Sequence, residues 1–201
     1  VESSGSETHS FEIRESCNAE LPLTSEEVFH VLKIWETGST SIENTIIIMQ
    51  RCRKTKNLAY ARSIYLYVCS NGLSTHKAVE NYIVPMFVEC GGVFSAEHAI
   101  FRSMNCNEYS WTSLIQGFIE CGQLQHALSL YDKMQQDQIR PSKYTYVILL
   151  KAFGRQKCVE RSLQLHTEIV TRGLETETFV GNSLVRMYSR CSALQEARKV
   201  F

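Results

Sequence analysis

Apolar residues recur through residues 42–201 at helical spacing, and they also recur in a longer cycle. Shifting the sequence by 101 residues lays Gly72-Leu73 on Gly173-Leu174, Asn81 on Asn182, Met86 on Met187 and Cys90 on Cys191. Inside that shift, Ala61, Ala96, Ala127, Ser162 and Ala197 follow one another at intervals of 35, 31, 35 and 35 residues. The cycle divides the chain into units 42–76, 77–107, 108–142 and 143–177, with a fifth, 178–201, cut short. Repetition at such a period marks stacked supersecondary units.

Positions are numbered here from the first residue of each unit. Position 11 holds Cys52, Phe87, Phe118, Phe153 and Tyr188, and position 17 holds Leu58, Val93, Leu124, Val159 and Leu194. Positions 7 and 8 are apolar throughout, from Ile48-Met49 to Leu184-Val185. This spacing on both sides of a short break predicts two amphipathic helices per unit. The break carries Cys90-Gly91 and Cys121-Gly122, and position 20 is small in all five units, which lets two helices approach closely. The expected fold is all-α, a right-handed α-solenoid whose units bury their apolar faces only against their neighbours.

Before residue 42 the pattern lapses. Residues 1–20 are rich in Ser and Glu and are expected to be flexible. Thr24-Ser25-Glu26-Glu27 reads as a capping box that opens a helix over about 25–37, with Val28, Leu32 and Trp35 on one face. That helix either covers the open end of the array or is the second helix of a preceding unit. The domain division expected is therefore 1–41, a flexible acidic segment plus lead-in helix, and 42–201, the array. The chain starts at Val1 rather than Met and stops inside a unit, as expected of a fragment or a processed product.

The unit Glu108–Ser142 resembles a standard pentatricopeptide repeat, opening with Ser110-Trp111-Thr112-Ser113-Leu114-Ile115 and continuing with Ala127-Leu128-Ser129-Leu130-Tyr131-Asp132-Lys133-Met134, with Pro141 near its end. Units 42–76 and 143–177 resemble the long variant of that repeat, through Leu149-Leu150-Lys151-Ala152-Phe153 and Arg172-Gly173-Leu174-Glu175. Units 77–107 and 178–201 resemble the short variant, most clearly in Gly181-Asn182-Ser183-Leu184-Val185-Arg186-Met187-Tyr188 and Ala197-Arg198-Lys199-Val200-Phe201. The order long, short, standard, long, short is similar to the mixed-repeat subfamily of land-plant organelles.

The resemblance implies single-stranded RNA binding at roughly one base per repeat, with the base read by position 5 and the last residue of the unit. The implied pairs are Ile46/His76, Asn81/Asn107, Thr112/Ser142 and Val147/Glu177, with Asn182 lacking its partner. Asn with Asn resembles the pyrimidine-preferring combination. Thr112 resembles the purine-preferring one, and beside Ser142 it favours A. Ile46 and Val147 cannot hydrogen-bond a base edge, so the long units are expected to supply shape and spacing. At position 2 the family usually carries an aliphatic residue between bases. Tyr109, Tyr144 and Phe179 stand there instead, and an aromatic ring stacks on a base for roughly 1–3 kcal/mol.

The implied role is target recognition in organellar RNA processing, such as C-to-U editing. The deaminase or editing-complex protein would come from a missing C-terminal part or in trans. RNA stabilisation or splicing is the alternative within the family. A protein-interaction scaffold of the tetratricopeptide type is the alternative outside it, though its uniform 34-residue period does not match the alternation of 31 and 35. Mitochondrion or chloroplast follows from resemblance alone, since an acidic start with one arginine in its first forty residues is unlike a transit peptide.

Other features receive bland readings beside sharp ones. Asn81 and Asn182 would also serve as helix caps. Arg51, Arg53, Lys54, Lys56 and Arg62 would meet phosphates or form a solvated face. Pro85, at position 9, is expected to kink its helix. Cys90, Cys121 and Cys191 all fall at position 14, as packing thiols would, and no Cys-x-x-Cys pair points to zinc. His166-Thr167-Glu168 imitates half of a zinc deaminase signature, but the cysteine half is absent. The expectation is no enzyme, no cofactor and no metal. No apolar run reaches the length of a membrane span.

Composition alters the picture only once it is divided. The 201 residues, 44% hydrophobic and 21% charged, carry no net formal charge. Residues 1–44 hold nine acidic and two basic side chains, whereas 45–201 hold nineteen basic and twelve acidic. The array is thus mildly basic, which favours a phosphate backbone. In this register, Asn107→Asp is expected to move the preference of unit 77–107 from C toward U, measured by selection from a randomised RNA pool.

Overall fold

A computed structural model describes residues 41–103 and 106–200, so the segment 1–20 and the helix expected over 25–37 lie outside the described residues. The described chain is a succession of helix pairs: α1 (Ile42–Thr55) and α2 (Leu58–Ser70), α3 (Lys77–Glu89) and α4 (Val93–Arg102), α5 (Glu108–Glu120) and α6 (Leu124–Gln136). They continue with α7 (Lys143–Gln156) and α8 (Val159–Thr171), then α9 (Thr178–Arg190) and the short α10 (Leu194–Lys199). The odd-numbered helices pack in a row, each against the next, and each even-numbered helix packs against its own partner. This is an α-solenoid. The junction between α5 and α7 is the loosest in the row.

The turn inside every pair rests on one backbone conformation. Position 15 is left-handed in all five units, with φ of 53° at Lys56, 80° at Gly91, 78° at Gly122, 55° at Lys157 and 59° at Ser192. The residue that follows then closes a hydrogen bond back across the helix end. Gly92 N–H donates to the Phe87 carbonyl at 2.8 Å, Gln123 to Phe118 at 2.9 Å, Cys158 to Phe153 at 3.2 Å and Ala193 to Tyr188 at 3.0 Å. Carbonyls that a helix end leaves unsatisfied are thereby paired, and the chain reverses within two residues. The Cys-Gly pairs reveal this at two units. Lysine and serine adopt the same conformation at the others, against their steric preference.

The repeating apolar positions form the core. Position 20 is fully buried at Ala61, Ala96, Ala127 and Ser162 and nearly so at Ala197, and position 11 is buried in every unit. Positions 7 and 8 are both buried in the three middle units, whereas Ile48 in the first and Val185 in the last are half-exposed. Units at the ends have only one described neighbour, and a solenoid unit needs two to complete its core. Position 17 departs from the expectation: Val93 and Leu124 are buried, but Val159 and Leu194 are exposed. The packing role expected of the position-14 thiols also fails at Cys121, which is exposed. Cys90 is buried, its Sγ 3.8 Å from that of Cys52. α3 runs on through Pro85 without breaking.

Glu168, the acid of the apparent deaminase half-motif, is a tie between units. Its carboxylate accepts from Tyr131 at 2.8 Å, Tyr146 at 2.8 Å, Gln135 at 2.9 Å and Arg172 at 3.0 Å, joining α6, α7 and α8. Burial, reinforced by this carboxylate, pushes both tyrosine hydroxyls above their ordinary pKa. His166 is 2.9 Å from the Tyr188 hydroxyl and is held below its usual pKa by burial. Both residues are occupied in packing the array.

Two stability changes are expected, each read by thermal denaturation. Lys157→Gly removes the left-handed penalty and should stabilise by about 1 kcal/mol, a rise of roughly 2–4 °C in Tm. Glu168→Ala leaves two buried tyrosine hydroxyls without their acceptor and should destabilise by about 1–3 kcal/mol.

Candidate nucleic-acid interface

A groove of about 680 Å³ runs along the first helices of units 2 to 5, past the loose junction of α5 and α7. Tyr109, Tyr144 and Phe179 line it, each at the second residue of its helix and each about half exposed. The rings of Tyr144 and Phe179 lie 6.1 Å apart between centroids and are tilted by 60°. The Tyr109 hydroxyl accepts a long hydrogen bond of 3.4 Å from Arg53 Nη2, and the same guanidinium pairs with Glu89. A row of aromatic faces therefore stands open along one side of the molecule. Such faces suit flat heterocycles.

The last residues of the units have a shared local role. His76, Asn107, Ser142 and Glu177 each stand at the N-cap of the next unit's first helix, in extended backbone conformation. Asn107 accepts from the Ser110 N–H at 3.0 Å, and Ser142 from the Tyr144 N–H at 3.2 Å. The capping reading thus applies to Asn107 and Ser142. It does not apply to Asn81 and Asn182, which lie inside α3 and α9.

One candidate pair is brought together. Thr112, buried, and Ser142, half-buried, both donate to Oε1 of Glu108, at 2.7 and 2.6 Å. Thr145 lies 3.1 Å from the same oxygen and 2.6 Å from the Thr112 hydroxyl. Thr112 and Glu108 both line the groove. By contrast, no hydrogen bond joins Asn81 to Asn107 among the described residues. Asn81 is half-buried, and its Oδ1 is buried without a partner. Pro85, one turn on, also removes the donor that would ordinarily bond the Asn81 carbonyl. Asn182 is exposed on α9. Val147 is buried at the groove wall and Ile46 is half-buried.

Glu108 is the residue that sequence reasoning overlooked. An acid in the first turn of a helix is ordinary, because it complements the helix dipole. The signal available was its place four residues before Thr112, one helical turn away. The basic cluster is divided: Lys56 lines the groove and Arg53 is paired, while Arg51, Lys54 and Arg62 are exposed. Lys56 and Lys151 share the groove with Glu89, Glu108 and Glu120. No helix among the described residues is long and apolar enough to cross a membrane, and no group of three or more His, Cys, Asp or Glu among them could hold a metal ion.

Comparison with known proteins gives a consistent result. The PPR repeat family matches residues 107–155, and the PPR repeat matches residues 144–174. A putative pentatricopeptide repeat-containing protein of Arabidopsis thaliana is 32% identical over 160 residues, 79% of this chain and 23% of the relative. A chloroplastic pentatricopeptide repeat-containing protein of the same plant is 26% identical over 175 residues, 87% of this chain and 25% of the relative. The chain therefore spans about a quarter of the length of these curated relatives. The crystal structure of the pentatricopeptide repeat protein PPR10 in complex with an 18-nt psaJ RNA element superposes with a TM-score of 0.65 at 19% identity, over 85% of this chain and 26% of that one. PPR10 from maize, in a second crystal structure, superposes equally well, over 87% of this chain and 25% of that one. The helix pairs, their turns and these likenesses agree: the chain is a pentatricopeptide repeat protein.

Proposed function

We propose that this array binds single-stranded RNA in the groove along α3, α5, α7 and α9, stacking bases on Tyr109, Tyr144 and Phe179 and reading their edges with side chains from the helix starts. The observation that carries the reading is the joint lining of one groove by three half-exposed aromatic rings and the Thr112 hydroxyl. Support comes also from the likeness to repeat proteins of plants, among them one solved with bound RNA. Thr112 with Ser142, Asn81 with Asn107, and Asn182 are the readers in this proposal. The array runs over 42–201 in the order long, short, standard, long and truncated short.

The wider role we propose is target recognition in organellar RNA processing, with C-to-U editing as the favoured process and any deaminase supplied by another segment or protein. The name "chloroplastic" printed for several relatives supports an organelle. Stabilisation or splicing of RNA would use the same groove. A tetratricopeptide-like scaffold would instead bind peptides there, and its extended main chain would make little use of stacked rings.

The test is fluorescence anisotropy with short single-stranded RNA. Tyr144→Ala and Phe179→Ala should each weaken binding about tenfold, in keeping with roughly 1–3 kcal/mol per stacked base. Tm should change little, because both rings are about half exposed. Equal affinity for duplex and single strand, or no RNA binding by the unaltered chain, would refute the reading.

A further inference from the structure

The geometry points to Glu108 as a specificity-determining residue of unit 108–142: its carboxylate, held beside the Thr112 and Ser142 hydroxyls, accepts from the N1–H and N2–H groups of guanine. This inference rests on the RNA-binding reading given above and refines it at one base.

Glu108 Oε1 accepts from Thr112 at 2.7 Å and from Ser142 at 2.6 Å. Thr145 Oγ1 accepts from the Ser142 N–H at 3.2 Å and stands 2.6 Å from Thr112 Oγ1. One assignment satisfies the three shortest contacts, Thr145 standing also at a longer 3.1 Å from Glu108 Oε1. Thr112 and Ser142 donate to Glu108, and Thr145 donates to Thr112. Each hydroxyl has a single proton, so all three are consumed inside the cluster. What Thr112 still offers the groove is lone pairs. A threonine hydroxyl able to donate would give its proton to the bare ring nitrogen of adenine. A threonine whose proton is already committed cannot.

Glu108 sharpens that change of character. The hydrogen bonds of Glu108 all fall on Oε1, which leaves Oε2 without one among the described residues, and the residue lines the groove together with Tyr109 and Thr112. The hydroxyls fill the lone pairs of Oε1, and both lone pairs of Oε2 remain for the groove. Of the four bases, guanine alone carries two adjacent donors on its Watson–Crick edge, N1–H and an N2 amino hydrogen, and these two can converge on the single oxygen Oε2. Adenine and cytosine each place one amino group next to a bare ring nitrogen, which would face the carboxylate with its own lone pair. Uracil offers one N–H between two carbonyls. Mismatched acceptors facing one another lose the bond and strand a desolvated charge.

The cluster is also anchored from both sides of the loosest junction. Glu108 and Thr112 belong to α5, whereas Ser142 caps α7 and Thr145 lies in its first turn. The carboxylate is therefore fixed by two helices, as a discriminating group must be. A lone acid on the groove wall would repel phosphate. One tethered at the level of the hydroxyls is placed for a base edge.

The experiment is selection from a randomised single-stranded RNA pool by four proteins: the unaltered chain, Thr112→Asn, Glu108→Gln and Glu108→Ala. The nucleotide whose preference changes in Thr112→Asn is the one this unit faces. The unaltered chain should select G there over A by about tenfold, the usual worth of a good two-bond contact. Glu108→Ala frees the hydroxyl protons and should move the choice to A. Glu108→Gln can still accept from the hydroxyls through its amide oxygen, keeping the junction, but puts an amide donor where Oε2 stood and should lose the G preference. Melting curves show that each variant is folded, and Glu108→Gln carries the test should Glu108→Ala unfold. A at that position in the unaltered chain, or G retained in both Glu108 variants, overturns the role of Glu108 alone. A failure of the unaltered chain to enrich any RNA overturns the binding reading itself.

Discussion

The left-handed residue at position 15 is the constraint on which the rest of this structure depends. It reverses the chain within two residues, so that the second helix of each pair lies back along the first. Only then do the buried small residues at position 20 meet the first helix closely enough to exclude water. Only with the pairs closed do α1, α3, α5, α7 and α9 stand in one row. That row brings Tyr109, Thr112, Tyr144, Val147 and Phe179 to one groove. Binding geometry in this protein is thus a consequence of turn geometry, transmitted through five repeats by packing against nearest neighbours.

The loosest step in the row is also the most heavily tied by polar groups. Between α5 and α7 the helix contact is slight, and a hydrogen-bonded cluster of one carboxylate and three hydroxyls spans the gap. On the opposite layer Glu168 gathers Tyr131, Tyr146, Gln135 and Arg172 across the same pair of units. Polar networks are directional, so they hold a separation that hydrophobic contact alone would collapse. The groove owes its width to that difference.

The sequence made the period plain, and the physics of a period explains why. Positions 11 and 20 are dictated by burial on every side, so the same residue types return. Position 15 was half legible, because glycine marks it in two units while Lys56, Lys157 and Ser192 adopt the strained conformation with no compositional sign. Position 17 misled, since an apolar residue at a helix start is buried only where a neighbour covers it, and Val159 and Leu194 are left exposed. At the candidate site, Tyr109, Tyr144, Phe179 and Thr112 were found by register, and all four line the groove. Glu108 was not: its spacing to Thr112 is that of any helical turn, and the contacts that single it out, to Ser142 and Thr145 at the start of the next helix, are not encoded in spacing along one helix.

Charge sets the manner of any recognition in this groove. The array carries an excess of basic residues over its whole length, yet the groove itself holds Lys56 and Lys151 against Glu89, Glu108 and Glu120. Arg53, the remaining cation near Tyr109, is already paired with Glu89. A surface so balanced has few phosphate contacts to offer, and each contact foregone makes the salt dependence of binding shallower. Free energy must then come from ring faces and base edges, which are short-ranged and selective. A basic groove would hold any polyanion. In the binding we propose, this one would reward a strand whose bases fit, because a base that failed to pair would leave acceptors without donors.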